Sequence, residues 1–182
     1  MNVIATAIAD VKIIEPKVFA DDRGYFLETW NAQAFAQNGL DVGFVQDNQS
    51  RSNKHVVRGL HYQLEQTQGK LVRVVKGRVF DVAVDIRRSS PTFGRWVGVE
   101  LSEDNHRMLW VPGGFAHGFL ALSDDVDLTY KCTDFYAARH ERTIVWNDPD
   151  LAIAWPLPQG ASPSVSPKDA AGSTFAQADL FA

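Results

Sequence analysis

The chain has 182 residues, 45% hydrophobic and 22% charged, an ordinary balance for one soluble globular domain with a proper core. A net charge of −4 argues against a nucleic-acid surface, and the single cysteine, Cys132, excludes an intrachain disulfide and a cysteine metal cluster. The N-terminus lacks a basic region ahead of its interrupted apolar stretch, and no run is long and apolar enough to span a bilayer, so a cytoplasmic protein engaging neither membrane nor nucleic acid is expected.

In chain order, Asp21-Asp22-Arg23-Gly24 reads as a turn, and Asn31 to Asn38 as a short helix with Asn31 as N-cap and Gly39 ending it. Strands are then predicted at 42–50, 56–63 and 71–75, the last meeting the next across a Lys76-Gly77 hairpin turn. Over 80–87, Phe80, Val82, Val84 and Ile86 alternate with Asp81, Ala83, Asp85 and Arg87, the period-2 signature of a sheet with two unlike faces. Further strands are predicted at 95–101, 107–111, 115–122, 126–133 and 142–146, separated by Ser89-Ser90-Pro91, Pro112-Gly113-Gly114 and Ser123-Asp124-Asp125. From about residue 156 the chain turns rich in Pro, Ser, Gly and Ala and reads as an arm with a short helix near Ala170 to Ala178. Many short, closely spaced strands predict a sandwich or barrel.

The run Arg58-Gly59-Leu60-His61-Tyr62-Gln63, followed by Gly69-Lys70-Leu71, sets a histidine, an arginine and a lysine close together in strand. Such a set suits an anionic ligand and a proton to be moved. Each residue also has a plainer reading. His117, on a face with Phe115 and Phe119, fits a core histidine with one hydrogen bond. Tyr130, on the apolar face of Val126, Leu128 and Cys132, fits either a packed tyrosine or a general acid facing the cavity of His61. Lys70 at a strand end fits a solvated lysine. Arg23 and Arg58 fit a pyrophosphate grip or ion pairs with Asp22 or Asp47. His61-Tyr62-Gln63 is not His-x-His, which weakens a metal site, and no dinucleotide, phosphate-loop or serine-hydrolase motif is present.

Taken together, Pro16-Lys17-Val18-Phe19, Asp22-Arg23-Gly24, Phe44-Val45-Gln46-Asp47-Asn48, Arg58-Gly59-Leu60-His61, Gly69-Lys70-Leu71-Val72-Arg73, Phe80 to Arg87, Ser90-Pro91-Thr92-Phe93-Gly94, Trp110-Val111-Pro112, Gly114 to Phe119, Tyr130-Lys131 and Trp146-Asn147-Asp148 follow in order. The chain so resembles the dTDP-4-dehydrorhamnose 3,5-epimerase family over nearly all its length to about residue 170. The resemblance implies an all-β, cupin-type jelly roll with a few short helices, one domain over 1–182 with its arm from about 156. It implies a homodimer exchanging N-terminal strands, and no cofactor or metal. The implied substrate is a dTDP 4-keto-6-deoxy sugar, inverted at C3 and C5 on the way to rhamnose for cell-wall polysaccharide. The family also suggests two alternatives, inversion at C3 alone on a related keto sugar and a non-catalytic sugar-nucleotide binding module. A metal cupin is a third.

The roles carry over by matching positions. His61 matches the base, Lys70 the group that stabilises the enolate oxygen, Tyr130 the acid, and Asp169 the carboxylate that orients His61, with Asp81 as a second candidate for that task. Arg23, Phe26, Glu28, Gln46, Asp47, Asn48, Arg58, His117, Glu141 and Lys168 match nucleotide or sugar contacts. Tyr136 matches an aromatic that stacks near the base. Departures stand at Arg51 after Asn48-Gln49-Ser50, and at Phe135-Tyr136, where relatives often have two tyrosines.

Overall fold

A computed structural model describes residues 1–182. Four short strands open the chain: β1 (Asn2–Ala5), β2 (Lys12–Glu15), β3 (Val18–Asp21) and β4 (Gly24–Leu27). Helix α1 (Ala32–Gln37) follows, then β5 (Gln46–Ser52), β6 (Val56–Gln63), β7 (Lys70–Lys76), β8 (Arg78–Asp85) and β9 (Trp96–Ser102). The remainder is β10 (Met108–Val111), β11 (Phe115–Ala121), β12 (Val126–Cys132), β13 (Glu141–Thr143), β14 (Ser164–Val165) and α2 (Pro167–Ala170), with 3-10 turns at Ala138–His140 and Phe175–Gln177. One sheet runs β1-β2-β10-β7-β12-β5. The other runs β13-β6-β11-β8-β9, with β14 lying parallel on β6. Hairpin β3–β4 pairs only with itself. This is the expected all-β jelly roll. No helix is long and apolar enough to cross a membrane.

Three apolar clusters hold the layers. Val72, Val74, Leu109, Val126 and Leu128 of the first sheet meet Val79, Ala83, Val97, Phe115 and Phe119 of the second between the sheets. On the outer face of the first sheet, Ile14, Leu71, Met108 and Trp110 are covered by Phe35 of α1 and by Leu40. On the outer face of the second, Leu60, Tyr62, Val82, Val84, Ile86 and Ala116 are covered by the later chain through Ile144, Leu151 and Ala178. Both faces of β8 are therefore buried. Its fully apolar series points outward beneath the C-terminal segment, and its mixed series, Asp81 included, points between the sheets.

The strands predicted from 56–63 through 126–133 are present to within two residues. The one predicted over 42–50 begins only at Gln46. Leu40, Val42 and Phe44 alternate like a strand, but they lie as a cover on the outer cluster, with Phe44 edge-on to Trp30 and Trp110. The strand predicted over 142–146 ends at Thr143. Helix α1 forms where expected, with the Asn31 side chain accepting from Ala34 N at 3.1 Å. The helix predicted near Ala170 to Ala178 is corrected to two shorter pieces, the 3-10 turn Phe175–Gln177 inside that range and, before it, one α-helical turn, α2. Ser166 caps it and Pro167 starts it. It stops because residues 172–173 lie against 143–145: Ser173 N donates to Thr143 O, and Val145 N to Ser173 O. A Cβ on Gly172 would meet Thr143 O at 2.9 Å.

Candidate active site

A cavity of about 300 Å³ opens between the sheets at the edge of the apolar cluster, whose Phe119 and Leu128 share in its lining. Among its lining are His61 and Arg58 from β6, His117 from β11, Lys70 from β7 and Tyr130 from β12, with Tyr136 and Glu141 at one side. An irregular step in β6 brings Arg58 and His61 together. Phe119 of β11 faces Arg58 and His117 faces His61, so two steps on β11 oppose three on β6. Strict alternation would send residues three apart to opposite faces; the extra residue returns both to the cavity. Room for this exists because Gly59 passes Gly118 closely: a Cβ on Gly59, at φ +121°, would sit 2.5 Å from Gly118 Cα.

The His61 ring meets Asp169 across 2.6 Å, from Nε2 to Oδ1. Asp169 also accepts from Gly59 N at 3.3 Å, and its own N–H donates to Ser166 Oγ at 3.1 Å. Burial works to raise the Asp169 pKa, but the His61 hydrogen bond and charge outweigh it and hold the carboxyl below its usual range. An ionised Asp169 on Nε2 favours the proton there and leaves Nδ1 as the basic nitrogen. Asp81, the second candidate for this task, does not touch His61. It points into the space between the sheets and binds His117 Nε2 at 2.7 Å, with its other oxygen buried and unpartnered.

Lys70 is buried, and desolvation pushes its pKa down against the pull of Cys132, Asp81 and Glu141. A more acidic ammonium donates more strongly to a developing oxyanion. Burial pushes the Tyr130 phenol up, so it stays protonated well past neutral pH, and it makes no side-chain hydrogen bond. Arg58 donates to Ser52 Oγ and Arg51 O, each at 3.0 Å, and pairs with no carboxylate. Glu141 accepts from Tyr136 Oη at 2.7 Å and from Lys168 Nζ. These two override its burial and hold the carboxyl below its ordinary value.

The remaining candidates lie around the cavity or apart from it. Gln46 donates to Asn48, which donates to Cys132 Sγ at 3.5 Å, and neither Gln46 nor Asn48 is part of the cavity lining. Asp47 pairs with Lys131, not with an arginine, at 2.9 Å. Arg23, Phe26 and Glu28 belong to the exposed β3–β4 hairpin and the residue after it, and none lines the cavity. Arg23 pairs with Asp21 rather than Asp22, Phe26 is 68% exposed against Phe19, and Glu28 accepts from Asn31. Gln63 and Gln68 also line the cavity, although neither is among the residues that the sequence marks as candidates. Gln63 stands two residues after His61 on the same strand, the one sequence signal that points to it. No group of three or more His, Cys, Asp or Glu side chains gathers closely enough to hold a metal ion.

Two antiparallel sheets closed over a polar cavity that holds a His–Asp pair, a buried lysine and a free phenol define a cupin-type fold equipped for proton transfer. The chain belongs to the dTDP-4-dehydrorhamnose 3,5-epimerase family, whose model matches residues 5–177. It is 57% identical to the dTDP-4-dehydrorhamnose 3,5-epimerase of Pseudomonas aeruginosa over 182 residues, covering 100% of this chain and 99% of that one. Its structure matches a 3,5-epimerase from Legionella pneumophila, solved with dTDP-4-keto-L-rhamnose, at a TM-score of 0.95 and 54% identity, covering 99% and 97% of the two chains. A 3'-monoepimerase from Streptomyces bikiniensis, solved with dTDP-quinovose, matches at 0.88 and 34% identity, covering 95% and 87%.

Proposed function

We propose that the protein inverts C3 and C5 of dTDP-4-dehydro-6-deoxy-D-glucose, giving dTDP-4-dehydro-L-rhamnose, with its own side chains as acid and base. The observation that carries this reading is the meeting of His61, Lys70 and Tyr130 in one cavity, with His61 and Tyr130 on opposite sheets. Binding alone requires no such set. The higher identity to double epimerases than to the monoepimerase supports two inversions over one.

C3 and C5 flank the C4 ketone, so loss of either proton places the electron pair in an enolate with its charge on O4. In the gluco chair both hydrogens are axial on one face. A single base on that side, His61, addresses both centres, and a single acid on the other, Tyr130, returns each proton with inversion. Positioned acid–base catalysis typically gives ~10²–10⁴-fold. Lys70 holds the O4 charge, and one such donor is worth roughly 3 kcal/mol. Arg58, unpaired by any carboxylate, is left to bind the diphosphate.

The working unit is a homodimer. The β3–β4 hairpin exposes Phe19, Tyr25 and Phe26 and pairs with nothing else in its own chain, while β5 forms a free edge of the first sheet. These features support exchange of N-terminal strands, with Arg23, Phe26 and Glu28 completing the partner's site. Incubation with the keto sugar in deuterated water tests the reaction. Label at both C3 and C5 is expected; label at C3 alone would assign single inversion.

A further inference from the structure

Residues 134–137 form a loop that belongs to no strand, yet its backbone is gripped at every residue by a glutamine side chain. Gln68 Nε2 donates to Asp134 O at 2.8 Å, and Gln63 Nε2 to Phe135 O at 3.2 Å. Gln46 Oε1 accepts from Tyr136 N, and Gln63 Oε1 from Ala137 N, both at 2.9 Å. Backbone groups outside helices and ladders still seek hydrogen-bond partners, and the amide side chain supplies a donor and an acceptor together. Gln63, 4% exposed, brackets Tyr136 by taking one group on either side of it. It also donates to Gln66 O at 2.7 Å, which fixes its own amide. With the Tyr136 hydroxyl held by Glu141, the ring is pinned at both ends, while the residue stays 54% exposed.

We propose that Gln63 and Gln68 are positioning residues for nucleotide binding: they set the loop so that the Tyr136 ring stands ready to stack on the thymine base. This rests on the reading of Tyr136 as the stacking aromatic. A ring fixed before binding loses little freedom when the base arrives, so affinity depends on the loop as well as on the ring. Gln63 also follows the proposed base on β6, so one strand carries the proton-transfer group and the support for the nucleotide.

The test uses the full-length protein and two probes, dTDP and inorganic pyrophosphate, titrated by calorimetry beside steady-state kinetics. Gln63→Met keeps side-chain length and removes both hydrogen-bonding groups. Its Kd for dTDP and its KM are expected to rise about fivefold to tenfold. Its kcat should fall far less, and pyrophosphate affinity should hold, because the loop serves the base and not the phosphates. Gln68→Met, losing a single bond from a partly exposed residue, should shift dTDP affinity the same way by less, and it carries the test if Gln63→Met fails to fold. Tyr136→Ala is the control. If it weakens dTDP binding and neither glutamine variant does, the positioning role is wrong. If Tyr136→Ala leaves dTDP binding unchanged, the stacking reading and this inference fall together. Equal loss of both probes, or a fall in kcat with KM unchanged, also overturns the proposal.

Discussion

Asp169 reaches His61 from 108 positions along the chain, so the pair exists only once the C-terminal segment has docked. Fixing the ring and its tautomer is a steeply geometric task. Asp169→Asn should therefore lower kcat by about 10²–10³-fold with a smaller change in KM, as steady-state kinetics would record. The depressed Asp169 pKa sets the sign of its acid response. The carboxylate's contribution to stability is full above the ordinary carboxylate range and is lost as pH falls through its lower folded value. Single residues were legible unevenly. His61, Lys70 and Tyr130 stand together as the resemblance implied. Asp81 stood as a second candidate for orienting His61, because one-dimensional spacing does not say which histidine a strand neighbour will face. Register decides it: Phe119 pairs with Asp81 and His117 with Ala83, so Asp81 lies beside His117 on the inner face.

Strands β6 to β12 were readable because they are regularly punctuated and largely apolar, and all but the four-residue, fully buried β10 run to seven or eight residues. The first four strands were not, since each has four residues with no sustained alternation and β3 and β4 are almost wholly exposed. The 40–45 stretch misled in the opposite way, its alternation serving a cover instead of a ladder. Past the end of β8, the turn is locked by Asp85, buried and accepting from Arg87, Ser90 and Thr92. Burial would raise the Asp85 pKa, but these donors bring it from 3.8 to about 2. That preference for the ionised form is worth about 2 kcal/mol above pH 4. The contribution fades as pH falls from the unfolded value towards the folded one. Asp85→Asn should thus lower the thermal midpoint at pH 7, and the gap to the native protein should shrink progressively on acidification below pH 4, as melting curves at several pH values would show.

At the scale of the whole molecule, the cavity gathers the proposed acid, base and oxyanion group within one chain but leaves three expected substrate contacts on a projecting hairpin and the residue after it. Strand exchange makes a specific demand. A His61→Ala chain has a dead cavity and an intact hairpin, and an Arg23→Ala chain the reverse. Mixed after unfolding and refolding together, the two weakly active variants should recover up to one working site per heterodimer. Recovery no greater than the sum of the separate variants would mean that each chain completes its own site.

The central claim, that a base on one sheet and an acid on the other turn exchange into inversion, is tested most directly on Tyr130→Phe in deuterated water. Deuterium incorporated into recovered sugar should be compared with sugar inverted, per turnover. His61 and Lys70 remain in that variant, so proton loss continues while opposite-face return is slowed, and exchange is expected to outrun inversion well beyond the native ratio. A ratio equal to that of the native enzyme would show that another group delivers the proton and would contradict the pairing of His61 as base with Tyr130 as acid.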